Sequence, residues 1–128
     1  MEGTTRSISI KRGIEILLVS FFARYPISEI LKRVIARPRP DPTFDGFAFP
    51  SGHATFFFAL ATGVYLVDRR MGVIFYVVAV VVSAMRVIEG AHYVSDVIGG
   101  AILGIAVAYV FARLLHDGKF VNLNMRTK

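Results

Sequence analysis

Pro50-Ser51-Gly52-His53-Ala54-Thr55-Phe56-Phe57-Phe58-Ala59-Leu60 marks the point where this chain turns from loop to apolar helix. Upstream stands Arg37-Pro38-Arg39-Pro40-Asp41-Pro42, which cannot be a regular helix, because each proline disfavours helical geometry in the residue before it. Four of the five prolines fall between Arg37 and Pro50, and Asp45-Gly46 adds a turn signal. Ser51 is placed to cap the helix that follows, with Gly52 beside it and His53 in its first turn. The first N–H groups of a helix lack internal partners, so such a start is a ready anion site. A plain Pro-Ser helix start with an incidental histidine fits the same stretch.

Working outward, the whole chain is apolar. Of 128 residues, 55% are hydrophobic and 19% charged, below the roughly 25% charged of a soluble domain. Mean hydropathy is +0.59. The length sets a single domain, 1–128. There is no cysteine, which excludes disulfide, thiolate and cysteine-zinc chemistry. The net charge is +6, and the bases lie at the ends of apolar runs. That placement belongs to a membrane protein and argues against nucleic acid as a partner.

The pattern predicts an all-α, polytopic transmembrane bundle of about four spanning helices. A first helix runs from about Ile10 to Ala36, kinked at Pro26, and its second half carries Glu29, Lys32 and Arg33. The second covers Gly52 to Val67 and is closed by Asp68-Arg69-Arg70. The third is the Val-rich run Met71 to Met85, ended by Arg86. Val87 to Asp96 is a polar connection or helix start, and the fourth helix covers Val97 to Leu115. Gly100, Gly104, Ala108 and Ala112 recur every four residues, as do Thr55, Ala59 and Gly63, so these two stripes are expected to touch. After His116-Asp117-Gly118 comes a short polar tail.

Helices that cross in alternation bring Lys32, Arg39, Ser51, Gly52, His53, Arg86, His92 and Asp96 to one side. Lys and Arg suit phosphate oxygens, as a mobile charge and a planar fork respectively. Two histidines can divide nucleophile and acid work. Asp96 follows His92 by four residues, so on a helix the two share a face and Asp96 can hold one ring nitrogen. No carboxylate cluster suggests a metal, so fixed positive charge would carry phosphoryl transfer. Each part also has a simpler reading. Lys32 and Arg39 suit a membrane flank, Arg86 a helix C-cap, and His92 with Asp96 a structural pair. Glu89, Arg33 and Arg37 are placed at the rim or behind the site, and His116 as a solvated helix end on the opposite face.

In order and spacing these residues resemble the type 2 phosphatidic acid phosphatase (PAP2) superfamily, membrane lipid phosphatases related to the vanadium haloperoxidases. The first family signature is Lys, six residues, Arg-Pro, matched by Lys32 and Arg39-Pro40. The second, Pro-Ser-Gly-His, is intact at 50–53. The third, Ser-Arg, five residues, His, three residues, Asp, is matched by Arg86, His92 and Asp96, with Met85 in place of the Ser. The resemblance covers Lys32 to Asp96, and its helical frame, the family core, spans 32–116. It implies a metal-independent phosphatase with no cofactor. In it His92 forms a phosphohistidine, Asp96 orients His92, and His53 protonates the leaving group. Lys32, Arg39, Ser51, Gly52 and Arg86 bind the phosphoryl group. The core lacks the first two family helices, which leads us to expect a homodimer.

Arg6, Lys11, Arg12, Arg69, Arg70, Arg113, Lys119, Arg126 and Lys128 fall on the side opposite the site. The positive-inside rule then places the termini in the cytoplasm and the site on the outer face of a bacterial or archaeal inner membrane. The expected substrates are lipid phosphates: phosphatidic acid, phosphatidylglycerol phosphate, a polyprenyl pyrophosphate or a lipid A phosphate. Small soluble phosphate esters, and non-catalytic binding of anionic headgroups among the membrane lipids, are the alternatives.

Overall fold

The computed structural model describes residues 8–116; Arg6 and the tail bearing Asp117, Gly118, Lys119, Arg126 and Lys128 lie outside the described residues. Helix α1, Ile10–Phe22, opens on Ser9, whose hydroxyl accepts from the Arg12 N–H at 3.1 Å. A π-helical turn, Ala23–Ser28, contains Pro26 and leads into α2, Glu29–Ile35. The expected kink is thus a widened turn, which absorbs the donor missing at the proline without breaking the helix. Ala36 stops it in the left-handed region at φ 52°, its N–H bonding the Lys32 carbonyl.

Helix α3, Gly52–Val67, begins where expected, with the Ser51 hydroxyl accepting from the Ala54 N–H at 3.2 Å. Only Asp68 separates it from α4, Arg69–Ile88. Asp68 closes α3 as expected, its N–H bonding the Val64 carbonyl at 2.8 Å, and it also opens the next helix. Asp68 Oδ1 accepts from the N–H groups of Arg70 and Met71, so both arginines belong to α4. Arg86 lies inside α4 and does not end it. The last helix, α5, Val94–His116, starts three residues earlier than the periodicity suggests, which puts Asp96 in its first turn.

Helix α3 is the central element, packed against α5, α4 and α1. Gly100 and Gly104 make this possible. A Cβ on Gly104 would stand 2.3 Å from the Thr55 carbonyl oxygen, and one on Gly100 2.6 Å from that of Ser51. Ala59 and Ala108 continue the seam, as the two stripes predict. Gly63 turns away from it toward α1, meeting Ile16. Two buried hydroxyls bond the backbone one turn earlier: Ser20 donates to the Ile16 carbonyl and Thr55 to that of Ser51.

The packing is inverted relative to a soluble domain. The buried apolar residues are mostly alanines, while Val77, Val80, Ile98 and Ile102 point outward, Ile102 at 65% exposure. Such a surface is stable in hydrocarbon and not in water. Helices α4 and α5 are long and apolar enough to cross a membrane. The 16 residues of α3 reach roughly 24 Å, short of the roughly 30 Å of a bilayer core.

Candidate active site

The polar end of the bundle is assembled by the loop between α2 and α3. Ala48 N–H bonds the Arg37 carbonyl at 2.7 Å, and Asp41 N–H bonds the Gly90 carbonyl at 3.0 Å. The loop is thereby tied to the base of α2 and to the turn between α4 and α5. Gly90 takes φ 85° in that turn, a conformation a Cβ would strain. Asp41 folds back on Thr43, whose N–H and hydroxyl hold the carboxyl below its ordinary range. The Phe49–Pro50 peptide is cis. At the loop's end, Ser51 N–H donates to the Asp96 carbonyl at 3.0 Å and joins the starts of α3 and α5.

Every residue expected at the site is found at this end. Lys32 is buried, and its ammonium donates to the Phe47 carbonyl at 3.1 Å. It shares a cavity of about 450 Å³ with Glu29, Arg33, Arg39, Asp45, Gly46 and Phe47. Arg39 donates to the Ala91 carbonyl at 3.3 Å and lies 3.5 Å from His92 Nε2. Burial, then the neighbouring Arg86, pushes its guanidinium below the usual value. Arg86 pairs with Glu89 at 3.0 Å. The ring of Phe44 stands 5.8 Å from the Arg39 guanidinium and 5.7 Å from that of Arg86. The Nε atoms of Arg39 and Arg86 are both buried without an acceptor among the described residues. Buried donors are normally satisfied, so two orphaned guanidinium N–H groups in one place call for an anion or water.

His92 lies in the turn before α5 rather than on a helix with Asp96, and this changes how it is held. Its Nδ1 is 2.9 Å from the Ala48 carbonyl oxygen and 3.6 Å from Asp96 Oδ2. A carbonyl only accepts, so Nδ1 carries the proton and Nε2 is left with its lone pair beside Arg39. The Ala48 carbonyl thus makes the shorter contact to the ring nitrogen, and Asp96 stands within ion-pair distance behind it. Asp96 is fully buried and accepts from the Tyr93 N–H at 2.7 Å and from Arg37 at 2.9 Å. It fixes the turn that carries His92. Burial first, then Arg39 and Lys32, lowers the His92 pKa to about 4, so the ring is neutral at pH 7.

His53 is half-buried, and no hydrogen bond from the described residues engages its ring. Lys32 and Arg86 act electrostatically on both histidines, which places the two rings in one field. Ser51 is fully buried, and its hydroxyl oxygen serves the helix cap described above. Among the described residues no group of three His, Asp or Glu converges as metal ligands would.

Sequence reasoning missed two participants, the Ala48 carbonyl and Arg24, and left Arg37 only loosely placed. The Ala48 carbonyl has no side-chain signal at all. Arg37, placed at the rim or behind the site, stands behind it: it is the ion-pair partner of Asp96, also donates to Ser95 at 2.6 Å, and covers the Tyr93 ring at 4.2 Å. Arg24 lies across Gly52, and its charge within an apolar helix was the available signal. At the far end His116 is not simply solvated: its Nε2 is 2.6 Å from Glu15 Oε2, tying α5 to α1.

The family model described as PAP2 superfamily matches residues 14–119. A lipid A 1-phosphatase of Rhizobium johnstonii is 38% identical over 105 residues, covering 68% of this chain and 43% of its own. An undecaprenyl-diphosphatase of Sulfolobus acidocaldarius is 29% identical over 135 residues, covering 97% of this chain and 63% of its own. The crystal structure of a transmembrane PAP2 type phosphatidylglycerolphosphate phosphatase from Bacillus subtilis superposes with a TM-score of 0.67. That structure is 28% identical, and the match covers 83% of this chain and 60% of the other. The chain spans less than two thirds of the length of each of these relatives.

Proposed function

The chain belongs to the PAP2 superfamily, and from that premise we propose that it is a membrane-embedded phosphatase of lipid phosphates. The observation that carries this reading is the pair of buried, acceptor-free Nε atoms of Arg39 and Arg86 around a histidine whose Nε2 is unprotonated. Lys32, Arg39 and Arg86 hold the phosphoryl oxygens, with Ser51 and the backbone at Gly52 behind them. His92 Nε2 attacks phosphorus and forms a P–N bond as the P–O bond to the lipid breaks. His53 gives its proton to the departing oxygen. A water, losing its proton to His53, then cleaves the P–N bond and releases phosphate. Asp96 and Ala48 keep His92 in the attacking tautomer. Positioning and fixed charge carry the reaction, with no metal in it.

The substrate is a phosphomonoester or pyrophosphate headgroup held at membrane level, as the names of the relatives suggest. The helices cross about four times, with the site on the outer face and the termini in the cytoplasm. The exposed apolar faces of α4 and α5 leave room for a second copy, and a monomer in mild detergent would count against a dimer. Labelling an Asp45→Cys variant from outside intact cells checks the orientation, since Asp45 is exposed in the loop over the site. Absence of labelling would reverse it.

The deciding experiment is phosphate release by purified protein across a panel of lipid phosphates, in EDTA, with His92→Ala alongside. The reading requires turnover by the wild type, undiminished by EDTA, and none by the variant. Headgroup binding without wild-type turnover would make this a binding protein. Loss in EDTA would refute the metal-free route.

A further inference from the structure

Arg24 is half-buried in the π-helical turn, and among the described residues it has no acid and no hydrogen-bond acceptor. Its one contact of note is with the Tyr25 ring, 5.0 Å from the guanidinium. A cation inside an apolar helix is costly and is normally retained for a purpose. Its position has two structural causes. On an unbroken α-helix, residues 24 and 32 would lie roughly 80° apart, at 100° per residue. The π turn takes up about one extra residue and reduces that to roughly 20°, so Arg24 faces the same way as Lys32. It stands about two turns further into the bundle, roughly 11 Å along the axis. The second cause is Gly52. A Cβ there would sit 3.3 Å from Arg24 Nε and 3.8 Å from Cζ, so the guanidinium rests close against the bare backbone and a side chain at 52 would press it aside.

Arg24 thus lies over the first residue of α3, next to His53, and outside the cavity lined by Lys32 and Arg39. Its charge acts on both His53 and Lys32. In the mechanism above, His53 is the group that faces the departing oxygen. The side away from His92 and toward the membrane interior belongs to the part of the substrate that leaves with the lipid.

We propose that Arg24, seated on Gly52 beside His53, binds an anionic group on the leaving portion of the substrate. The chain then favours diphosphates over simple monophosphates. This rests on the phosphatase reading for the identity of the leaving side. In a lipid diphosphate, His92 takes the terminal phosphoryl group, and the bridging oxygen departs with the inner phosphate. The guanidinium of Arg24 meets the charge that remains on that phosphate, while His53 supplies its proton. A prenyl monophosphate gives up its phosphoryl group as a neutral alcohol and has nothing for Arg24 to hold.

The test has one arm with turnover and one without. Arg24→Gln and Arg24→Lys are compared with wild type on a prenyl diphosphate and the matching prenyl monophosphate. Arg24→Gln is expected to lose 10- to 100-fold in kcat/KM on the diphosphate, roughly the worth of a charge-assisted hydrogen bond, and under about threefold on the monophosphate. Arg24→Lys recovers part of the loss. In the second arm, thermal unfolding is followed with inorganic pyrophosphate or phosphate added. Wild type is stabilised more by pyrophosphate, and Arg24→Gln loses that excess while keeping the phosphate effect. Equal loss on both substrates, or an unchanged pyrophosphate excess in Arg24→Gln, overturns the assignment. A wild type that turns over neither substrate but keeps an Arg24-dependent pyrophosphate excess sinks the phosphatase reading and leaves the anion subsite standing.

Discussion

Adding one methyl group to Gly104 tests the packing that holds the site together. The Cβ of Gly104→Ala would stand 2.3 Å from the Thr55 carbonyl oxygen and 2.9 Å from the Ala59 nitrogen. Ordinary contact begins near 3.4 Å, so α3 and α5 must part by about 1 Å. The obstructing atoms are backbone and cannot rotate away, which puts the cost at the upper end of overpacking, about 3 kcal/mol. Alanine offsets about 1 kcal/mol of this through its better helix propensity. The net loss of about 2 kcal/mol corresponds to a fall in Tm of about 8 °C, at roughly 4 °C per kcal/mol. Gly13→Ala is the control: its nearest neighbour is 3.9 Å away, so it should be neutral or slightly stabilising. Gly100→Ala strikes one turn nearer the site, 2.6 Å from the Ser51 carbonyl oxygen. It strains the Ser51–Asp96 backbone bond and should lower kcat/KM by about 100-fold, the scale of a 1 Å misplacement. Thermal unfolding in detergent and phosphate release measure the two effects. A Gly104→Ala protein as stable as Gly13→Ala would mean that α3 and α5 do not approach as described.

Arg37→Ala should lower turnover about tenfold and stability by about 1 kcal/mol, the small figure reflecting its 36% exposure. The exposed Arg70→Ala, at the far end of the bundle, should do neither, and equal behaviour of the two would deny Arg37 its role behind Asp96. The His92 pKa of about 4 sets two pH effects. The acid limb of kcat/KM from this group should fall near pH 4 rather than 6.5, and a limb at the ordinary histidine value would contradict the burial argument. The unfolded chain takes up this proton first, so the stability contribution is complete above about pH 6.5 and is lost as pH falls toward 4, which acid unfolding measures. His53→Ala should slow hydrolysis most for poor leaving groups. An equal loss with an activated aryl phosphate would mean that the two histidines have exchanged roles.

Much of the framework was legible in the chain because it is local. Apolar runs, the Ser51 cap and the Gly/Ala stripes depend on neighbours three or four residues apart, and their periods survive in one dimension. The helix ends were less legible. Asp68 ends α3 and at once caps the following helix, and Val94 begins α5 while the pattern still reads as polar.

The sequence by itself determined which residues gather at one end: Lys32, Arg39, Ser51 to His53, Arg86, His92 and Asp96. Alternating apolar helices joined by short connections leave few other ways to arrange them. Only the tertiary structure decided how they are held. The loop from Arg37 to Pro50 has no period, so nothing in its order shows that the Ala48 carbonyl reaches His92 or that Arg37 reaches Asp96. Nor does order alone show that a π turn swings Arg24 over Gly52. These contacts join positions far apart in the chain, and they exist because small residues let α3 and α5 close to within touching distance.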